Sequence, residues 1–283
     1  MILGSDLEMR HRLEEEVPPF RQVAVQLLHL AGDPTVSLGR VVNLLRTDPP
    51  LTIGLLRIAN SPLFASYQEV TDIRRAATYL GLDLIRSLAV TAAMRGLFDT
   101  CPNPLAPAYW HHSLATALTC KRMSPLVGVM PEYAYTAGLL HDVGQLWLMR
   151  LFPGYAQTIG RAVEGGESLI DAEARAFGID HCQAGQWLLS QWRLPLELQN
   201  VAAGHESPSS KATHDGDLIT LVHAGSLAEE YMGLAVIPPA RDIEPQDIAA
   251  GFEEGRRQGL VESLPELVEW ALVNVNGIEM SLF

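Results

Sequence analysis

The stretch Ala137-Gly-Leu-Leu-His141-Asp142-Val143-Gly144 decides the fold class and the chemistry, because an apolar run ends in an adjacent imidazole and carboxylate. The apolar residues predict a buried helix that leads to the His141-Asp142 pair. Successive helical residues point about 100° apart, so both side chains reach one metal ion only near a helix end or a kink. Gly144 permits such a local distortion. The pair is therefore either a pair of metal ligands or, as is commoner for a single histidine, a hydrogen-bonded structural element.

Helical periodicity extends outward from this stretch in both directions. Toward the N-terminus, apolar residues recur at helical spacing between Phe20 and Leu28, and Asp48 followed by Pro49 is a helix start signal. Three prolines between Cys101 and Pro107 cannot continue a helix, so we expect a subdomain boundary there. Beyond it, the periodicity predicts helices near 108–122, 132–150, 154–164, 169–177, 181–192, 195–203, 217–231, 245–258 and 265–275. No alternating strand pattern of useful length occurs, so the sequence predicts an all-α fold.

Composition excludes several classes of protein. The 283 residues carry 20 Lys and Arg against 33 Asp and Glu, a net charge of −13, and so acidic a surface repels phosphate backbones. No apolar run approaches the roughly 18 residues of a membrane span, and the first residues lack a signal-peptide pattern. The three cysteines form no CxxC pair, and phosphate-loop, dinucleotide-binding and serine-hydrolase motifs are absent from the sequence. We therefore expect a cytoplasmic protein with free thiols that binds neither nucleic acid nor a membrane.

Histidines on widely separated predicted helices are the candidate functional residues. His112, His181 and His205 each lie on a different predicted helix from the His141-Asp142 pair. Helical bundles build metal sites in this way, with side chains from several helices that project into the core. Imidazole together with carboxylate suits Zn, Fe, Mn or Ni, and spacing alone does not choose among these metals.

Two groups of motifs, taken together, resemble a known family. Leu139-Leu140-His141-Asp142-Val143-Gly144 is similar to the signature of the HD superfamily of metal-dependent phosphohydrolases. Asp48-Pro49-Pro50-Leu51, Ala59-Asn60-Ser61 and Trp192-Arg193-Leu194-Pro195 resemble the HDOD domain, an HD-related output domain of bacterial signalling proteins. The resemblance covers approximately residues 15 to 230. It implies an N-terminal helical bundle over 1–100 packed on an HD-like helical bundle over 101–235, and the remaining 236–283 form a C-terminal helical extension.

The resemblance also implies a set of metal ligands. In the related HD-GYP phosphodiesterases, histidines and aspartates along the same helices hold the metals. The matching positions of this sequence are His112, His141, Asp142, His181 and His205. This set implies one divalent transition metal, either Fe, Mn, Zn or Ni.

The sequence also departs from the HD-GYP pattern at specific positions. Gly204 replaces the first histidine of a His-His pair, Gly225 stands in place of a late aspartate, and Gln145 stands in place of a lysine. Glu206-Ser207-Pro208 occupies the region of the Gly-Tyr-Pro element. Hydrolysis needs a metal-activated water and groups that neutralise charge on the phosphoryl group. These departures argue against a second metal and against hydrolysis.

Two further side chains near the predicted site have open roles. Cys182, beside His181, either extends the metal site or is a buried inert thiol. His223 lies near the predicted site and is a candidate to replace the missing aspartate, a hypothesis that requires its side chain to point toward the metal.

The sequence leaves two functional hypotheses. In the first, the chain is a non-catalytic regulatory module that binds a signalling protein or a small nucleotide-like ligand, and the departures at Gln145 and Gly225 favour it. In the second, the chain is a one-metal phosphohydrolase or phosphodiesterase that acts on a nucleotide or a cyclic dinucleotide, and the retained histidines favour it. No catalytic residue is assigned under the first hypothesis, which is the one we favour.

Overall fold

The computed structural model describes residues 15–30, 35–60, 69–208, 214–239 and 241–282, and these residues form helices and no strand. The all-α prediction is therefore confirmed. The first helices are α1 (Gln22–His29), α2 (Leu38–Leu45), α3 (Pro49–Ala59), α4 (Ile73–Leu80), α5 (Leu82–Asp99), α6 (Ala106–Met123), α7 (Pro131–Leu140) and α8 (Val143–Leu151). The later helices are α9 (Tyr155–Glu164), α10 (Leu169–Phe177), α11 (His181–Gln191), α12 (Leu196–Gly204), α13 (His214–Tyr231), α14 (Pro245–Ala249) and α15 (Glu254–Leu282). No described helix is both long and apolar enough to cross a membrane.

Local signals in the sequence account for the start and end of α3. The Asp48 side chain accepts a hydrogen bond from the backbone N–H of Leu51, and Pro49 and Pro50 supply the first turn. At the other end, the Asn60 amide donates to the carbonyl oxygens of Leu56 and Val70 and accepts from the N–H of Val70 at 2.7 Å. Asn60 therefore closes the helix and fixes the chain ten residues further on. Ser61, the next residue of the quoted motif, lies outside the described residues.

The described residues form two hydrophobic cores, and α5 contributes to both. Its first half, including Ile85 and Leu88, packs into a smaller core with the apolar faces of α2, α3 and α4. Its second half, including Met94 and Phe98, packs into a larger core with residues of α1 and of the helices that follow. The described part of the chain thus has a small N-terminal bundle on a larger one. The predicted boundaries at residues 100 and 235 stay predictions.

The helix predicted over 132–150 is broken at His141 and Asp142. Helix α7 ends at Leu140, and α8 begins at Val143 with Asp142 as its N-cap residue. Gly144 has an ordinary backbone conformation, and its role is to provide space: a Cβ there would lie 2.0 Å from the carbonyl oxygen of His181. His141 and Asp142 thus lie at a helix end, as two side chains that reach one metal require, and Gly144 allows the start of α8 to contact the backbone of α11.

The C-terminal helices differ from the two segments predicted near 245–258 and 265–275. Helix α14 ends at Ala249, and α15 runs without interruption from Glu254 to Leu282, with Pro265 inside it. Proline costs one backbone hydrogen bond in a helix. Apolar residues on one face of α15 are buried on both sides of this proline, from Leu260 to Ile278, and pack in the larger core. Burial along the whole length therefore outweighs the local cost of Pro265.

Candidate metal centre

The five predicted ligand residues meet in the larger bundle, around the carboxylate of Asp142. The Nε2 atoms of His112 and His141 lie 3.6 and 3.4 Å from Asp142 Oδ2. The Nε2 atoms of His181 and His205 lie 3.7 and 3.1 Å from Asp142 Oδ1. All five side chains are buried. Helices α6, α11 and α12 and the α7–α8 junction thus bring four imidazoles to one carboxylate, although these residues are far apart in the sequence.

Backbone carbonyls and one carboxylate orient three of the four imidazoles. His141 Nδ1 lies 2.6 Å from the carbonyl oxygen of Gly138, and His205 Nδ1 lies 3.1 Å from that of Ala202. A carbonyl oxygen only accepts, so each Nδ1 carries a proton, and each Nε2, which faces Asp142, is the nitrogen available to a metal. His181 Nδ1 makes the equivalent contact with Glu173 Oε2 at 2.6 Å. This is the arrangement of a metal-binding histidine whose second nitrogen donates to an outer partner.

Glu173 is a functional residue that sequence reasoning missed. Its side chain is completely buried in α10, where it accepts hydrogen bonds from the Tyr155 hydroxyl, from His181 Nδ1 and from the His181 backbone N–H. A signal for it exists in the sequence, because Glu173 is an acidic residue at a position where the amphipathic pattern of α10 faces the core. An unpaired carboxylate there would be costly, so a buried partner is expected.

Several buried polar atoms of these residues lack hydrogen-bond partners, and this bears on whether the residues fit a metal. His141 Nε2, His205 Nε2 and Asp142 Oδ1 are buried, and none has a hydrogen-bond partner among the described residues. The 3.1 Å separation of the last two is an ion-pair contact that lacks hydrogen-bond geometry. Buried polar atoms without partners cost about 1–3 kcal/mol each. A divalent cation would accept all of these lone pairs, and His112, His141 and Asp142 lie close enough together to share one. The residues therefore fit a transition metal with imidazole and carboxylate ligands.

The histidines of the centre differ in the direction in which their surroundings shift the imidazole pKa. Burial lowers the pKa of His141 to about 3, so its imidazole is neutral at every ordinary pH. Burial also acts against the charged forms of His181 and His205. The Glu173 carboxylate nevertheless raises the pKa of His181 well above its usual range. Cys182 and Asp142 raise the pKa of His205 in the same way. Their surroundings therefore favour the charged form of both imidazoles in metal-free protein. Metal binding would have to release those protons.

A small cavity lies above the centre. Its volume is about 30 Å³, and its lining includes His112, Asp142, Gln145 and Glu206. Residues Ala235, Val236 and Ile237 also line it. A cavity needs roughly 10–15 Å³ to hold one water, so this one has room for a water or two and for nothing larger.

Helix α13 presents different residues to the cavity from those expected. A Cβ at Gly225 would lie 2.6 Å from Cys120 Sγ, so position 225 faces α6 and not the metal centre. The residues of α13 that line the cavity are Ser226 and Glu230. The absence of an aspartate at 225 therefore reflects close helix packing, and the carboxylate nearest the cavity from this helix belongs to Glu230.

His223 does not replace a ligand. Its Nδ1 donates to the backbone carbonyl oxygen of His205 at 2.6 Å, and the residue belongs to neither group of ligand atoms that converge in the described part of the chain. It stabilises the backbone that carries His205. Gln145, by contrast, faces the cavity beside Asp142, as the motif comparison predicts.

The fold and the site together define an all-helical protein with a buried histidine–aspartate centre of the HD type. A family model, the HDOD domain, matches residues 17–208. The chain therefore belongs to the HDOD domain family. Comparison with curated proteins finds no match.

Solved structures share this fold over nearly the whole chain. An HDOD domain protein of unknown function from Geobacter sulfurreducens is 26% identical, with a TM-score of 0.79 over 98% of this chain and 99% of that chain. A protein from Marinobacter aquaeolei VT8, described as a candidate signal transduction protein, is 22% identical, with a TM-score of 0.74 over 98% of this chain and 62% of that chain. A candidate phosphohydrolase from Shewanella amazonensis SB2B is 22% identical, with a TM-score of 0.68 over 97% of this chain and 96% of that chain.

Proposed function

We propose that this chain is a non-catalytic regulatory module that acts by binding a signalling protein or a small nucleotide-like ligand, with a metal held in its buried centre. The observation that carries the proposal is the cavity of about 30 Å³ above Asp142. Sites for small molecules have volumes of roughly 300–1,000 Å³, so a nucleotide does not reach the centre in this conformation. Gln145 supports the same conclusion, because it offers no positive charge to a phosphoryl group.

The metal of this proposal is one divalent Fe, Mn, Zn or Ni ion. His112, His141 and Asp142 would hold it, with His181 and His205 facing it from the other side of the Asp142 carboxylate. When bound, such an ion can polarise a phosphoryl oxygen or lower the pKa of a bound water. The cavity beside the ion would be too small for a substrate, since 235–237 and side chains from α6 and α13 line it and leave about 30 Å³. The metal then stabilises the helices that carry its ligands.

The second candidate function is hydrolysis of a phosphate ester. The histidine–aspartate cluster favours it. The Shewanella protein of the same fold is described as a candidate phosphohydrolase. Hydrolysis would require 235–237 to move away from the cavity.

Elemental analysis of tag-free protein tests the metal. We expect one transition metal at His112, His141 and Asp142, lost in His141→Ala and in His112→Ala. His111→Ala is the matched control, because His111 neighbours His112 on α6 but belongs to neither ligand group. Protein that is metal-free as purified and takes up no added Mn, Fe, Ni or Zn would refute the metal part of the proposal.

Turnover assays separate the two functions. We expect metal-loaded protein to release no phosphate from nucleotides, cyclic dinucleotides or a nitrophenyl ester, and an interaction screen to return a protein or nucleotide partner. Phosphate release that disappears in His141→Ala, together with a screen that returns no partner, would establish hydrolysis instead.

A further inference from the structure

We propose that a cavity between α1, α5, α7, α12 and α13 binds a small organic acid with an apolar body, and that Arg86 receives its carboxylate. The inference goes beyond the proposed function, because this cavity shares no lining residue with the one at the metal centre and its ligand requires no metal. Arg86 is then a ligand-binding residue of the regulatory module.

The cavity has the size of a small-molecule site. Its volume is about 340 Å³, whereas the cavity at the metal centre has about 30 Å³. Small-molecule sites have volumes of roughly 300–1,000 Å³. The lining residues come from the end of α1, from the beginnings of α5, α7 and α12, and from α13. A ligand in the cavity would therefore contact five helices at once.

Hydrogen bonds connect the elements that line the cavity. His29 Nε2 donates to the carbonyl oxygen of Arg193 at 2.6 Å and so ties the end of α1 to the turn between α11 and α12. Ser87 Oγ donates to the carbonyl oxygen of Glu132 at 3.1 Å and so ties α5 to α7. The walls are thus fixed before a ligand binds, and a preorganised site loses little affinity to reorganisation.

Arg86 gives the cavity a buried positive charge whose hydrogen-bonding groups are incompletely paired. The residue lines the cavity and is 6% exposed, and its Nη1 donates to Asp83 Oδ1 at 2.6 Å. Its Nε is buried and has no hydrogen-bond partner among the described residues. An unpaired donor on a buried charge is costly. A carboxylate accepts two parallel N–H bonds from a guanidinium, so it is the ligand group that completes this set.

Asp83 competes for Arg86 only weakly. Its side chain is 49% exposed, although it contacts a buried guanidinium. A carboxylate with that much exposure can turn toward water at little cost, since ion pairs that reach the surface contribute little free energy. The carboxylate of a ligand would then take the place of Asp83 on Arg86.

Apolar side chains set the character of the remainder of the ligand. Leu28, Val129, Met130, Pro195 and Leu218 all line the cavity. Ligand sites of this kind combine an apolar lining with a few polar groups that orient the ligand. The lining therefore fits an apolar body attached to a single charged group.

Two acidic residues in the lining disfavour ligands with several negative charges. Glu132 is paired with Lys121 Nζ at 2.9 Å, whereas Glu197 is exposed and has no ion-pair partner in the described part of the chain. The Glu197 carboxylate therefore repels further negative charge near the cavity. A single carboxylate that binds Arg86 meets this repulsion once, and a nucleotide with several phosphate charges meets it repeatedly.

Calorimetry and ligand-observed NMR with octanoate and phenylacetate test the proposal on the full chain. We expect both acids to bind, and octanamide and phenylacetamide to bind about tenfold more weakly or less, because an amide lacks the charge that Arg86 pairs. Arg86→Gln should lose about tenfold or more in affinity for the acids and nothing for the amides. Arg95→Gln is the matched control, since Arg95 also lies on α5 and pairs with Asp99 at 2.9 Å but does not line the cavity.

The two members of the Arg86–Asp83 pair should have opposite effects if Arg86 binds the ligand. Asp83→Asn removes the competing carboxylate and should tighten acid binding about two- to fivefold, with no change for the amides. Asp99→Asn should leave both unchanged. If the pair only stabilised the fold, Asp83→Asn would weaken acid binding or leave it as it is.

Several outcomes would overturn the carboxylate site. They are the absence of binding by both acids, equal binding of acids and amides, wild-type affinity in folded Arg86→Gln, and a preference for adenosine monophosphate over both acids. If Arg86→Gln fails to fold, Asp83→Asn decides the question, since tighter acid binding supports the site and unchanged or weaker binding overturns it. Metal-free and metal-loaded wild-type protein should bind the acids equally, so loss of the metal or the appearance of turnover would refute the proposed function without touching this site.

Discussion

Glu173 acts on the metal centre through His181 and not by direct contact. Its Oε2 accepts hydrogen bonds from both the ring Nδ1 and the backbone N–H of His181, at 2.6 and 2.8 Å. Loss of such an outer partner typically costs 10- to 100-fold in metal affinity. We therefore expect Glu173→Gln to weaken metal binding by about that factor, measured by competition with a chelator.

The control for this variant is Glu164→Gln, which removes an exposed carboxylate from the end of α9. It should leave metal affinity unchanged. Folded Glu173→Gln protein with wild-type affinity would mean that the Glu173 contact only stabilises the fold.

A buried acid outside the ligand set predicts a pH dependence of stability. The Glu229 carboxylate is fully buried and accepts a hydrogen bond from the Thr119 hydroxyl at 2.7 Å, and burial raises its pKa to about 7. Because the folded-state pKa exceeds that of the unfolded chain, the stability it confers is complete at low pH and is lost as the pH rises through 7.

Glu229→Gln should remove this dependence. Between pH 6 and pH 8, metal-free wild-type protein should lose about 1.4 kcal/mol of unfolding free energy relative to the variant. Urea unfolding of both proteins at the two pH values measures the difference. A constant difference across this pH range would show that Glu229 is already ionised at pH 6.

At the scale of elements, two glycines set the distance between α8 and α11. A Cβ at Gly144 would lie 2.0 Å from the His181 carbonyl oxygen and 2.6 Å from the Gly185 nitrogen, both of which are backbone atoms. Backbone atoms in packed helices cannot move aside as a flexible side chain does. We expect Gly144→Ala to cost about 3 kcal/mol or more, and also to weaken metal binding, since it separates His181 from Asp142.

Gly160→Ala is the matched control in α9. A Cβ there would meet nothing within 4 Å, so the variant should gain up to about 1 kcal/mol from helix propensity. Urea unfolding of both variants provides the comparison. If Gly144→Ala proved as harmless as Gly160→Ala, the close approach of the two helices would have no energetic importance.

The sequence predicted helices more completely than it predicted the site. Periodicity and cap residues such as Asp48 act over a few positions, so they can be recognised in the sequence. The five ligand candidates came from histidines on separate predicted helices and from motif resemblance. The break at His141-Asp142 and the role of Gly144 depend on the contact with α11. The orienting contacts at Gly138 and Ala202 involve backbone oxygens, which any residue carries, so no residue type could reveal them.

At the scale of the whole molecule, the C-terminal helix α15 belongs to the same core as the metal centre. Its residues Leu260, Leu264, Ala271 and Val275 are buried with residues of α6, the helix that carries His112. Arg122 of α6 also lies over the Trp270 ring, 5.5 Å from its centroid. The family match ends at residue 208. Described residues beyond that position nevertheless line the cavity at the metal centre and pack in the larger hydrophobic core.

This arrangement predicts that α15 unfolds together with the metal-binding bundle. Val275 is completely buried and Val273 is 65% exposed, so the same substitution at the two positions separates burial from helix propensity. Val275→Ala should lower the unfolding free energy by roughly 2 kcal/mol, whereas Val273→Ala should change it by less than about 0.5 kcal/mol. If α15 were an independent appendage, Val275→Ala would leave the main unfolding transition where it is. In a cooperative molecule, the midpoints from helix circular dichroism and from metal release shift together, because the same core holds α15 and α6.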